Sequence, residues 1–321
     1  MIVRRLEPAD APQLVRCFER CYGRTYPSEV VYDEARLAAL VAGGELRSVV
    51  AVDDDGAVLA HTGLKVPSPR ARVVEAGHTV VDPATRGQGV LAELGAALFA
   101  LCAEEGFAGW IHFPTTVHEI MQRASVRFGG VETGVMLAYI PAETEYVAVE
   151  RDGPAQRVAV TVVYQPVGSL GAGQATLPAR HAPLLARLFE ALGAERTWRP
   201  AEPPRGESRL REERGARRGL LRVGVERIGD DLAVRVGELE PAPVAQVDLP
   251  LADPGVDDAV ERLAALGFHF CGLLPELDTG DVLRLQRVET ADPGVLTPTL
   301  ANDGARELLA YIDRDRLSPT P

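Results

Sequence analysis

Residues 82–91 read Asp-Pro-Ala-Thr-Arg-Gly-Gln-Gly-Val-Leu, between an apolar run ending at Val81 and a leucine-striped run beginning at Val90. Glycines two residues apart, where a strand gives way to a helix, suit the binding of a diphosphate. Gly87 and Gly89 carry no side chain to hold an anion off, so backbone N–H groups can converge on it. The helix start adds unpaired donors and the positive end of its dipole. The preceding strand carries Glu75 and His78, and the next one His112, all groups able to take a proton near neutral pH. Strict alternation puts Glu75 and His78 on opposite faces unless a bulge intervenes. A lone histidine in a strand also reads as a packed residue, so these alternatives stand side by side.

The elements that must position these groups alternate through the first half. Residues 2–6 read as a strand, and a helix opens at Pro8-Ala9-Asp10 with Leu14, Val15, Phe18 and Cys21 at helical spacing. Ser28 is placed to cap a second helix over 29–42, closed by Gly43-Gly44. Strands follow over 47–53 and 57–66, joined by an Asp-Asp-Asp-Gly turn, and a fourth runs over 73–81. After the glycine turn come a helix over 90–105, a strand over 109–113 and a helix from Thr115 or Thr116 to Phe128. One or two strands over 131–140 close this half.

Composition narrows the classes. A chain of 321 residues exceeds one ordinary core, so two domains are expected, divided near 145–155. A net charge of −12 argues against a nucleic-acid partner and is weakly compatible with a cationic acceptor. No apolar run is long enough to span a bilayer, no membrane partner is expected, and the N-terminus has no signal-peptide core, so a cytoplasmic location is expected. Cys17, Cys21, Cys102 and Cys271 form no zinc pattern, and no metal is expected. Cys17 and Cys21 share one helix face and read as small buried residues.

The element order, together with Arg86-Gly87-Gln88-Gly89-Val90-Leu91, resembles the GNAT superfamily of acyl-CoA N-acyltransferases over about residues 1–142. The family pattern at this turn is Arg/Gln-x-x-Gly-x-Gly/Ala; Leu91 replaces the small last residue. The resemblance implies an α/β fold with an α+β mixed sheet, and acetyl-CoA or another acyl-CoA as co-substrate. Its pantetheine arm would lie along Thr79, Val80 and Val81, and its diphosphate on Arg86, Gly87, Gln88, Gly89, Val90 and Leu91. The activity implied is N-acetyl transfer to a primary amine of a small molecule, with a peptide or protein amine as the alternative, by direct attack, with Glu75, His78 or a water chain taking the proton. Many members place a thiolate-protonating tyrosine on the helix after the fifth strand; that place falls at Ser125 here. His118 occupies the place of a cofactor-contacting asparagine, with Gln122 one turn on, and could serve the cofactor or give the proton. Tyr22 and Tyr26 fall where the family builds its acceptor pocket. The chain would be a monomer or homodimer. Other readings are a CoA-binding regulator or scaffold without chemistry, or a different acyl-CoA reaction such as decarboxylation or transfer to a carrier thiol.

Beyond 155 the pattern reads as a reduced copy, a second GNAT-like domain over 155–321 without the diphosphate turn, after a first over 1–145. A strand over 157–164 and a helix from His181 to Leu192 are followed by residues 199–218, with seven arginines, four glutamates and three prolines, read as a solvated loop or short helix. Strands are expected over 220–228, 232–237 and 243–249, a helix over 253–266, strands over 268–274 and 281–288, and a helix over 303–314. This domain would complete the acceptor pocket or brace the first, with Glu276 or Asp281 as residues that could reach the site.

Overall fold

The computed structural model of the chain describes residues 1–149, 155–277, 280–290 and 293–318. It divides into two compact units. The first is Met1–His112 with Pro141–Gln156 and Pro166–Gly168; the second is Phe113–Ile140, Arg157–Gln165 and Ser169–Pro321. Among the described residues no helix is long and apolar enough to cross a membrane.

The first unit is built on strands β1 (Ile2–Arg5), β2 (Leu46–Val52), β3 (Val58–Lys65), β4 (Val73–Val81) and β5 (Gly109–His112). Neighbours pair antiparallel from β1 to β4, and β5 runs parallel to β4. A parallel pair requires a crossover, supplied by α3 (Val90–Glu104). Helices α1 (Ala11–Tyr22) and α2 (Glu34–Ala42) bury Leu14, Phe18 and Leu37 against Leu46, Val50 and Val80 on one face of the sheet. Helix α3 buries Leu94, Leu98 and Leu101 against Ala60, Leu64, Val74 and Ala76 on the other.

Two local expectations fail here. Ser28 makes no capping bond; residues Glu29–Tyr32 form a single 3-10 turn, Asp33 is extended, and its carboxylate accepts from Arg36 N at 3.0 Å to cap α2. Aspartate is as good a cap as serine, so the helix starts at the later of two competent positions. Nor does a helix begin at Thr115. In the second unit Pro114–Thr116 lies extended beside β7 (Val158–Pro166), with Thr116 N on Ala159 O and Thr161 N on Pro114 O, and α4 (Ile120–Arg127) starts four residues later.

The second unit continues with β6 (Val131–Ile140), the short parallel pair β8 (Gly173–Ala175) and β9 (Arg196–Trp198), α5 (Ala182–Ala191), β10 (Arg209–Gly215), β11 (Leu220–Arg227), α6 (Leu232–Gly237), β12 (Val244–Pro250), α7 (Val256–Ala265), β13 (His269–Leu277), β14 (Gly280–Val288) and α8 (Asp303–Leu317). Its main sheet has the order β7-β6-β13-β14-β12-β11-β10, with β11 and β12 parallel. Helices α5 to α8 cover one face in a single core. The other face carries a polar ladder that includes Arg284, paired to Asp248 at 2.6 and 2.7 Å, and the fully buried Gln246 and Gln286.

Residues 209–215 are thus a strand, not a loop, and 232–237 a helix, not a strand. The first is an edge strand with largely exposed charged side chains, for which a charged sequence guards against edge-to-edge pairing. The second joins the parallel pair β11–β12, and that crossover overrides the strand propensity of Leu-Ala-Val-Arg-Val.

Candidate functional site

Strand β4 ends on Val81, and Asp82 organises the turn into α3. Its carboxylate accepts from Ala84 N at 2.9 Å and pairs with the Arg20 guanidinium, which also donates to Val58 O at 2.7 Å. Arg86 orients the turn from the far side. Its Nε donates to Val81 O at 3.2 Å and one terminal nitrogen to Val147 O at 2.9 Å. Gly87 and Gly89 both adopt left-handed backbone, with φ of 80° and 83°, which an L side chain rarely takes. A Cβ at either would meet nothing within 4 Å. Gly89 is the N-cap of the fifteen-residue α3 and offers no side chain of its own to cap it. As the first residues of α3, Val90 and Leu91 have N–H groups without a partner inside the helix. This leaves room for an anionic group beside the start of α3.

The crossover of the second unit handles the same problem differently. Between β11 and the six-residue α6, Ile228 N is taken by Asp253 at 2.9 Å and Gly229 N by the Ser208 hydroxyl at 3.0 Å. Asp230 and Asp231 then stand at the helix start. These donors are satisfied internally, so this turn does not offer them to an anion.

Strand β4 contains the bulge that decides whether Glu75 and His78 share a face. His61 pairs with Val80 and Gly63 with Gly77, so Thr62 alone faces both His78 and Thr79. His78 takes φ of 56° to do so. Before the bulge, Val74 and Ala76 pack under α3; after it, Val80 packs under α1 and α2. The side-chain order is inverted, and Glu75 and His78 lie on the same face. The His78 ring sits edge-on to Phe18 at 6.2 Å and Tyr26 at 6.1 Å. Glu75 accepts from Lys65 Nζ at 2.6 Å across β3. His61, beside His78, donates from Nδ1 to the His78 carbonyl at 2.7 Å, and complete burial lowers its pKa to about 4. His112 is likewise held neutral by burial, with a pKa of about 4.

Beyond Glu75 and Ile111, β4 and β5 share no further register pairs, so residues 76–81 are unpaired to β5. Thr79 bonds Thr62 hydroxyl to hydroxyl at 2.8 Å, and Val81 O also accepts from the Cys21 thiol at 3.4 Å. Tyr22 stacks edge-on with Tyr26 and Tyr146 at 4.8 and 5.6 Å, and burial raises its pKa. The sequence did not single out Arg20, Lys65 or His61. Only Lys65, as the sole lysine of the chain, carried any signal.

The expected site residues are divided between the two units. His118 belongs to the second unit, where its carbonyl accepts from Gln122 at 3.3 Å. Gln122 is fully buried, and its side-chain oxygen accepts from Ala301 N at 3.0 Å. Ser125, also in that unit, donates its hydroxyl to Met121 O at 2.6 Å. A buried hydroxyl bonded back into its own helix is poorly placed to give a proton. Ser125→Ala is therefore expected to leave the turnover number within about twofold of wild type, read by steady-state kinetics; a hundredfold loss would assign it the acid role. Glu276 and Asp281, expected in a loop, lie near the ends of β13 and β14 in the second unit. They are strand residues that clamp the buried Arg196, Asp281 at 2.5 and 2.9 Å and Glu276 at 3.4 Å.

No protein-family model matches this chain, and no curated protein matches it. Among solved structures, N-acetyltransferases of the GNAT superfamily align with about half of it. A GNAT superfamily phosphinothricin acetyltransferase from Sinorhizobium meliloti, in complex with acetyl-CoA, is 21% identical, covering 52% of this chain and 88% of its own, with a TM-score of 0.41. The putative acetyltransferase yncA from Salmonella typhimurium, with acetyl-CoA, is 14% identical, covering 53% and 96%, with a TM-score of 0.42. The ribosomal-protein-S18-alanine N-acetyltransferase from Escherichia coli is 16% identical over the same shares, with a TM-score of 0.42.

Proposed function

We propose that the chain is an acyl-CoA-dependent N-acyltransferase, with acetyl-CoA as donor and a small-molecule primary amine as acceptor. The observation that carries this reading is the pair of left-handed glycines with open space above them, seated between the end of β4 and the N-terminus of α3. Arg86 to Leu91 would hold the diphosphate, and the backbone of Thr79 to Val81 the pantetheine arm. The thioester carbonyl would then lie beside the bulge, on the face where Glu75 and His78 stand. The amine nitrogen attacks that carbonyl carbon, its proton passes to Glu75 or His78, the C–S bond breaks, and the thiolate takes a proton from water. The inward-satisfied turn between β11 and α6 supports placing the chemistry in the first unit alone.

Titration calorimetry with acetyl-CoA tests the cofactor assignment, and release of free CoA thiol over an amine panel tests the chemistry. One acetyl-CoA per chain at micromolar affinity is expected, with amine-dependent thiol release. Absence of any acetyl-CoA or CoA binding would sink the reading. Tight binding with no thiol release for any acyl donor or amine would instead identify a CoA-binding regulator, which the self-bonded hydroxyl of Ser125 favours as second reading.

A further inference from the structure

His78 occupies the left-handed position of the β4 bulge, a place that favours glycine. A bulge leaves its extra residue outside the ladder, and a buried carbonyl freed in this way needs another donor. A side chain of the neighbouring strand supplies it: His61 Nδ1 donates to His78 O at 2.7 Å. The second unit solves the same problem with a different group. On β6, Ala138 stands at φ of 55° beside a register shift, and its carbonyl accepts from Arg157 Nε at 2.7 Å. There the donor is a permanent cation, whereas His61 is a neutral ring with no exposed surface.

Histidine is a costly choice at that place. His61 shares a cross-strand row with Val50 and Val80, and its ring lies 6.2 Å from that of Phe18. A carbonyl can only accept, so Nδ1 carries the proton and Nε2 is left as a bare acceptor. That nitrogen is buried and finds no hydrogen-bond partner among the described residues. An apolar side chain in the row would carry no such cost. What the imidazole adds is a donor that holds the plane of the peptide between His78 and Thr79. The peptide is planar and trans, so fixing its carbonyl also fixes its N–H, on the side away from His61. The next residue of β3, Thr62, holds the Thr79 hydroxyl at 2.8 Å, so side chains of β3 bind both residues of the bulge. One of these is the proton acceptor read above, and the other begins the stretch assigned to the pantetheine arm. From this buried tie at the bulge we infer that His61 is a positioning residue for acyl transfer, aiming the His78 side chain and the Thr79 N–H at the thioester. This rests on the acyltransferase reading and adds to it a residue that touches neither donor nor acceptor.

The test compares wild type, His61→Leu and His61→Asn, with circular dichroism to establish folding. The asparagine amide nitrogen sits about where Nδ1 does and can donate to the same carbonyl. His61→Leu is expected to lose about 100-fold in kcat, as when a donor to a developing oxyanion is lost. Its acetyl-CoA affinity by calorimetry should stay within about tenfold of wild type, because the diphosphate turn is untouched. His61→Asn should recover about tenfold or more of the lost kcat. A merely structural role would move the melting temperature and leave the kcat of the folded variant alone. A folded His61→Leu with kcat within about twofold of wild type, or a His61→Asn as slow as the leucine variant, would overturn the inference and leave the acyltransferase reading standing. If His61→Leu does not fold, NMR of the wild-type ring nitrogens decides. A protonated Nδ1 with bare Nε2 is expected, and the opposite tautomer would overturn the tie. Wild type that binds acetyl-CoA but releases no thiol with any amine overturns this inference together with the chemistry; wild type that does not bind it fails the acyltransferase reading first.

Discussion

Gly89→Glu is expected to lower acetyl-CoA affinity at least 100-fold while leaving the protein folded. The glycine stands at φ of 83°, where a side chain costs about 1 kcal/mol in backbone strain. Nothing in the protein lies within 4 Å of the new Cβ, so no packing is lost beyond that. The cost falls on the ligand instead. A carboxylate projecting from the N-cap of α3 occupies the cradle, uses the same helix-end donors, and repels a diphosphate. Calorimetry with acetyl-CoA, alongside a thermal melt, separates the two effects. Micromolar binding retained by a folded Gly89→Glu would remove the turn from the cofactor site. Gly87→Glu should behave alike, because its backbone and surroundings match.

Acidification below pH 6.5 should destabilise both units well before ordinary carboxylates are protonated. Burial lowers four histidines, His61 and His112 in the first unit and His181 and His269 in the second, to about 4. Their unfolded pKa is about 6.5. Between those values the unfolded chain binds protons that the folded chain refuses, so stability is complete above pH 6.5 and falls as pH drops toward 4. Each histidine withdraws about 2 kcal/mol by pH 5, on the order of 4 kcal/mol in each unit, a large part of a typical domain's stability. The melting temperature measured from pH 8 to 5 should therefore drop steeply below 6.5, and His61→Gln should flatten the curve. A melting temperature flat over that range would show that these rings are hydrated in solution.

Much of the first unit was legible because its signals are local. The strand over 73–81 is found residue for residue, and the glycine turn falls where alternating strand pattern gives way to a leucine stripe. The bulge was not legible. His78 takes a positive φ that its residue type does not announce, and only the pairing of β3 with β4 imposes it. The face shared by Glu75 and His78 was hidden for the same reason. The helix over 232–237 was misread because six residues rich in valine favour a strand until a parallel crossover demands otherwise. Asp33 and Ser28 are both competent caps, and sequence offered no ground for choosing the later. The pairing of Lys65 is a matter of register: ten residues separate it from Glu75, and the hairpin between them sets the contact.

The bulge has a consequence for how the first unit comes apart. Because β4 gives its first residues to the core under α3 and its last to the core under α1 and α2, a single backbone segment is shared by both. Neither layer can melt while keeping β4 whole, so the two should be lost together in one transition. Hydrogen exchange would then show amides of β3 and β4 opening with one common free energy, with α1 and α3 reporting that same value from opposite sides. Deleting one residue at the bulge would restore strict alternation and aim Val80 at the wrong layer, turning a one-residue change into a fault in both halves of the fold.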